Sequence, residues 1–185
     1  MMDFISEKTR LHYASSHPIL DVGYKKLIEQ AKQLPKFVLR GKSQIFTYYQ
    51  SVDKNCIVTF ITPSGTTPGV YWVQKVQLLD LPKLWKQYNG KKKPLDVVRM
   101  ALNGNVKLSC KGSDGKDEPS FLYYGFKYLA TIKGYNLGGG EDRFPKIRNP
   151  RLKGSMCKHL RMVVETLIFH NTIITKDLTK LNFFA

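Results

Sequence analysis

Two cysteines and a histidine are the residues of this sequence whose types and spacing best suit metal binding. Cys110 closes a predicted strand, and Cys157 and His159 stand two positions apart where a helix is predicted to begin. A thiolate and an imidazole on a first helical turn can face one ion, and the helix N-terminus favours a deprotonated thiol. We therefore predict a metal site with Cys110, Cys157 and His159 as ligands.

Three ligands leave a closed zinc site one short. We consider Asp114, Asp117, His170 or a water molecule for the fourth position. The alternative is a site without metal, in which the two cysteines are small buried hydrophobic residues and the histidine bonds a backbone carbonyl.

Catalytic chemistry has less support in the sequence. The four histidines stand in unrelated contexts, and Cys157 is too close to His159 for a nucleophile and its base. A metal-dependent nuclease or hydrolase would need acids beside the cluster, and Asp114, Asp117 and Glu118 are the ones available. We predict that the protein is not an enzyme.

The charge of the chain predicts a polyanionic partner. Its 185 residues include 30 Lys and Arg against 14 Asp and Glu, which gives a net charge of +16. Such a surplus favours DNA or acidic protein neighbours. The densest stretch runs from Arg143 to Arg161 without an acid. The residues predicted to bind a partner are Arg143, Lys146, Arg148, Arg151, Lys153, Lys158 and Arg161.

Hydrophobic periodicity and turn residues predict the elements that position these side chains. We predict helices over 20–34, 81–88, 94–102, 119–133 and 175–184, a long helix capped by Ser155, and strands over 44–49, 56–62, 70–79 and 105–110.

These elements predict an α+β fold, a small antiparallel sheet with flanking helices. We divide the chain into residues 1–103, with an N-terminal helix, antiparallel strands and short helices, and residues 104–185, with a strand-helix unit and a long basic loop. The length fits one compact unit, so we expect the two parts to share one core.

The second part resembles SWIM-type zinc fingers, in which a strand ends in Cys-x-Cys and Cys-x-His opens a helix. The runs FLYYGFKY (121–128), RFPKIRNP (143–150) and GSMCKHL (154–160) are similar to SWIM-like proteins of unassigned function from large tailed bacteriophages. The resemblance covers residues 104–170. The second cysteine of the pattern would fall at position 112, where this chain has Gly112.

The resemblance implies a C-terminal SWIM-like strand-helix unit, zinc as the ion and a viral origin. We therefore expect a basic virion structural component that contacts DNA or acidic protein neighbours within an oligomeric assembly. The alternative is a non-virion DNA- or RNA-binding accessory protein. The first 20 residues lack a signal-peptide pattern, and no apolar run approaches the roughly 20 residues of a membrane span. We expect a location in the virion or the host cytoplasm, with no secretion and no membrane partner.

Overall fold

The computed structural model describes residues 47–64, 67–152 and 156–185. Within these ranges the chain forms a four-stranded antiparallel sheet and six α-helices, so the predicted α+β fold class is confirmed. The helix predicted over 20–34 lies outside them.

The sheet is a meander in which each strand is antiparallel to the one before it, in the order β1-β2-β3-β4. In β2, Val58, Phe60 and Thr62 are buried while the residues between them are half-buried, because one face of the sheet packs on the core. Gln74 of β3 opposes Cys110 of β4, and both are fully buried. The strands are β1 (Tyr48–Val52), β2 (Ile57–Pro63), β3 (Tyr71–Leu78) and β4 (Val106–Gly112).

In the described ranges, two helices lie between β3 and β4, and four more follow β4. Prolines stand in the first turn of α1 and α2, where a missing amide hydrogen costs little. The helices are α1 (Leu81–Tyr88), α2 (Pro94–Ala101), α3 (Pro119–Tyr123), α4 (Phe126–Ile132), α5 (Lys158–Thr166) and α6 (Asn171–Lys180), with a 3-10 turn at Leu167–His170.

The single helix predicted over 119–133 is wrong, since α3 and α4 are separated at Gly125. This glycine has φ 69°, in the left-handed region, and its amide donates to the carbonyl of Leu122. Pro145 packs directly against Gly125, and a Cβ there would clash with the proline ring. The break therefore depends on a contact with a residue far along the chain.

The last helix joins the end of the chain to its earlier elements. α6 begins at Asn171 and ends at Lys180, earlier than the predicted 175–184, and it packs on α2 and β1. The hydroxyl of Tyr49 donates to Asp177 Oδ2 at 2.8 Å. No helix in the described part of the chain is long and apolar enough to cross a membrane.

Candidate metal centre

A hairpin at the end of β4 positions two side chains of the site. The chain turns after Gly112, and a bridge pairs Lys111 with Asp117. The amide of Glu118 then donates to the carbonyl of Cys110 at 3.0 Å. The hairpin therefore brings Glu118 beside Cys110, although the two residues are eight positions apart.

The first turn of α5 supplies the other two side chains. Cys157 occupies the N-cap position, with extended backbone, and His159 follows inside the helix. The predicted cap, Ser155, lies outside the described residues, and the helix begins too late for it. α5 packs on β3 and β4, and the His159 ring stacks on Trp72 with centroids 5.6 Å apart and planes 25° from parallel.

Cys110, Glu118, Cys157 and His159 form a buried cluster, called the four-ligand cluster below, whose ligand atoms all lie within 4.8 Å of one another. His159 Nδ1 is 4.0 Å from Cys110 Sγ and 3.8 Å from Glu118 Oε1. In a tetrahedral zinc site with bonds of about 2.0–2.3 Å, ligand atoms stand about 3.3–3.8 Å apart. The cluster is slightly wider than this, and it could hold a metal ion after a small contraction.

Burial controls the protonation of the thiol at Cys110. It raises the pKa of this thiol well above its usual range, and contacts with Cys157 and Glu118 raise it further. The amide of Gln74, whose Nε2 donates to Cys110 Sγ at 3.7 Å, acts in the opposite direction. A bound divalent cation would favour the thiolate, because a coordinating thiol is deprotonated.

The imidazole of His159 is in the form that a metal ligand requires. Burial and, to a smaller extent, the charge of Lys158 lower the pKa of His159 to about 3. The ring is therefore neutral at pH 7, with one nitrogen lone pair available. Its Nδ1 faces the thiol and the carboxylate of the cluster instead of a backbone carbonyl.

Further hydrogen bonds orient the ligands from outside. Glu118 Oε2 accepts from the amide of Phe121 at 2.7 Å, at the start of α3, and this leaves Oε1 directed at His159. Gln74 is itself fixed, because its Oε1 accepts from the hydroxyl of Thr62 at 2.8 Å. Outer contacts of this kind hold metal ligands in position and tune their basicity.

The prediction of Asp114, Asp117 or His170 as the fourth ligand is wrong, because Glu118 is the fourth member of the cluster. Asp114 is exposed and pairs with a neighbouring lysine at 3.3 Å, and Asp117 pairs with Lys127 at 2.6 Å. His170 packs against Tyr49, with ring centroids 5.9 Å apart. Each of these side chains has a partner outside the four-ligand cluster.

Glu118 is the member of the cluster that the sequence analysis does not predict as a ligand, since it names this residue only as an acid near the cluster. The polar, glycine-bearing segment between β4 and Pro119 is the signal that could have identified it, because a tight turn there returns the chain beside Cys110. Gly112, where the SWIM pattern has its second cysteine, has little space for a side chain, since a Cβ would meet Trp72 and Asp114.

Three of the residues predicted to bind a partner line one open groove. This basic groove has a volume of about 420 Å³ and lies between α3 and the loop that follows α4. Arg151 is exposed beyond it, and Lys158 and Arg161 lie half-buried on α5. Lys153 is outside the described ranges. The groove is lined by Leu122, Tyr123, Glu141, Arg143, Phe144, Pro145, Lys146, Ile147 and Arg148.

The four-ligand cluster could hold a metal ion in the manner of a structural site. Its four ligands are all protein side chains and all are buried, whereas catalytic zinc sites keep one position for water or substrate. No protein-family model, curated protein or solved structure matches the chain.

Proposed function

We propose that the protein is a non-enzymatic structural component of a tailed-phage virion, held together by one zinc ion and contacting DNA through its basic surface. The observation that carries the proposal is the closed set of four buried ligands in the four-ligand cluster. Thiolate and imidazole donors favour zinc, and four protein ligands favour a structural role. The virion setting is supported by the resemblance to SWIM-like phage proteins.

The DNA contact is supported by cations that have no acidic partner. In the part of the chain that the structure describes, no acid lies within ion-pair distance of Lys146, Arg148 or Arg151, and all three are exposed. Arg143 differs, because both oxygens of Glu141 accept hydrogen bonds from it at 2.9 Å. Exposed cations of this kind meet phosphates and release the counterions of DNA.

DNA affinity measured over a range of salt concentrations tests this proposal. Replacing Lys146 and Arg151 together by glutamine should weaken binding and reduce the slope of log affinity against log salt by about one unit per lost phosphate contact. The double replacement of Lys83 and Lys86, exposed on α1, by glutamine makes the same change in net charge and is the matched control.

Equal salt slopes for the two double variants would contradict the assignment of phosphate contacts to Lys146 and Arg151. A wild-type protein that binds no DNA would overturn the DNA-binding function. Quantification in purified particles tests the virion setting separately. We expect a fixed copy number per particle, and absence from particles would contradict that setting.

A further inference from the structure

We propose that the basic groove binds one nucleotide of a single-stranded nucleic acid, with the base on Tyr123 and the phosphates on Lys146 and Arg148. This inference rests on the proposed function, since it specifies the form of nucleic acid that the basic surface takes. It places recognition at the junction of α3 with the loop that follows α4.

An exposed aromatic ring is the first requirement of such a site. Tyr123 ends α3, and 59% of its surface is exposed. The guanidinium of Arg148 lies over its ring, 5.7 Å from the centroid. Ile147 lines the same groove as Tyr123 and is 82% exposed. A base that stacks on Tyr123 would cover apolar surface that is now in water, and aromatic stacking of this kind accepts any base.

Cations placed for phosphates are the second requirement. Lys146 and Arg148 line the groove, and among the residues with described positions neither is ion-paired to an acid. Glu141 also lines the groove, but Arg143 engages both of its carboxylate oxygens at 2.9 Å. The single acid of the lining is therefore neutralised, and the remaining charge attracts an anion.

The groove is held in shape by contacts of its own loop. The Phe144 ring meets Tyr128 edge to face, with centroids 5.6 Å apart. Pro145 packs on Gly125, and Asn149 Nδ2 donates to the carbonyl of Tyr124 at 3.0 Å. A volume of about 420 Å³ falls within the roughly 300–1,000 Å³ of small-ligand sites. Binding therefore needs little rearrangement of the backbone.

The combination of ring and cations favours a single strand over a duplex or an acidic peptide. In a duplex the base faces are stacked on one another, so that only phosphates would be met and Tyr123 would gain nothing. An acidic peptide would likewise satisfy the cations and leave the ring exposed. An unpaired nucleotide offers a flat base and a phosphate together.

Fluorescence anisotropy with a labelled oligothymidine of about 20 nucleotides and a duplex of the same length provides the test. Tyr123→Ala should weaken single-strand binding by about 5- to 100-fold and leave duplex binding unchanged, because one stacking contact is lost. Tyr123→Phe keeps the ring and should bind as the wild type does. Tyr71→Ala, at another exposed tyrosine, is the control for loss of a surface ring.

Ile147→Ser is a second variant at an exposed position, and it should also weaken single-strand binding selectively. Equal melting temperatures establish that the variants are folded. The inference is overturned if Tyr123→Ala binds the single strand as Tyr71→Ala does, or loses affinity equally for strand and duplex. If the wild type still binds the duplex in a salt-dependent way, the proposed DNA-binding function stands without the single-strand site. A wild type that binds neither the oligothymidine nor the duplex would overturn both proposals.

Discussion

Glu118 uses its two carboxylate oxygens for different purposes. Oε2 accepts from the amide of Phe121 at 2.7 Å and so fixes the start of α3, while Oε1 lies 3.8 Å from His159 Nδ1. The amide of Glu118 donates to the carbonyl of Cys110, and this bond keeps the Glu118 side chain beside Cys110 in the cluster. A glutamine would keep the length of this side chain and remove the charge that a cation needs.

Elemental analysis should find about one zinc per chain in the purified protein. Cys157→Ser should lose the ion and melt at a lower temperature, since metal binding stabilises the folded state. Glu118→Gln should lower zinc affinity by at least about 10-fold. Asp114→Asn, at an exposed acid of the same hairpin, should keep both the ion and the stability.

Metal-free wild-type protein that melts at the same temperature with and without added zinc would contradict this assignment. The four-ligand cluster would then be a buried polar cluster, in which the side chains of the two cysteines pack beside those of Glu118 and His159.

Residue type and local sequence patterns were enough to predict three members of the cluster. Cysteine and histidine are common zinc ligands, and the positions of Cys110, Cys157 and His159 relative to a strand and a helix could be read from local patterns. Glu118 was missed because its place depends on the register of a hairpin. That register is set by backbone hydrogen bonds between residues 110 and 118, which residue type does not encode.

Among the elements, the break between α3 and α4 shapes the basic groove. Tyr123 ends α3, and Gly125 in left-handed conformation is the N-cap of α4. Pro145 packs against the Cα of this glycine, and this contact holds residues 143–148 of the basic loop beside α3. The loop therefore lies beside Tyr123 because position 125 has no side chain.

Gly125→Ala should lower the free energy of unfolding by about 2–4 kcal/mol, through the left-handed backbone and the overlap with Pro145. Gly139→Ala lies in the same loop region, where a Cβ would meet nothing within 4 Å, and should change stability by less than about 0.5 kcal/mol. Urea denaturation measures both. Equal stabilities would show that the Gly125 contact is not required for the fold.

Local sequence signals account for the helix prediction that is confirmed and for the one that is wrong. α1 matches its predicted bounds because Pro82 and a run of local residues define it. The helix over 119–133 was predicted as continuous because Leu122, Phe126 and Leu129 repeat with helical period. Its interruption depends on Pro145, which sequence spacing cannot bring into contact with Gly125.

At the scale of the molecule, the hydrogen bond between Tyr49 and Asp177 joins β1 to α6, which lie far apart along the chain. Bonds from Lys180 and then from Tyr49 hold the pKa of Asp177 below its usual range. Burial and the same carboxylate raise the pKa of Tyr49, which keeps the phenol protonated as the donor. A carboxylate with a lowered folded-state pKa stabilises the fold above its unfolded pKa of about 4, and this contribution is lost as the pH falls through the folded value.

Tyr49→Phe should cost about 1 kcal/mol of stability at pH 7, because it removes a charge-assisted bond and keeps the ring contacts with Phe60 and His170. The cost should shrink as the pH falls below about 4 and through the lowered pKa of Asp177, because the carboxylate then takes up a proton. Chemical denaturation at pH 7 and at the lowest pH at which the wild type still folds measures it, with Asp177→Asn as the variant whose Tyr49 bond does not titrate. An equal cost at both values would exclude the carboxylate as the partner that matters.

The hairpin ligand Glu118 and the helix ligand Cys157 bound the segment that contains α3, α4 and the basic groove. An ion shared by them would act as a cross-link that closes this segment into a loop. In the chain-entropy estimate for a disulfide, closing a loop of about 40 residues restricts the unfolded chain by about 4 kcal/mol. Removing the ion would therefore widen the ensemble of the unfolded chain and lower the free energy of unfolding, although none of the groove residues lies in the four-ligand cluster.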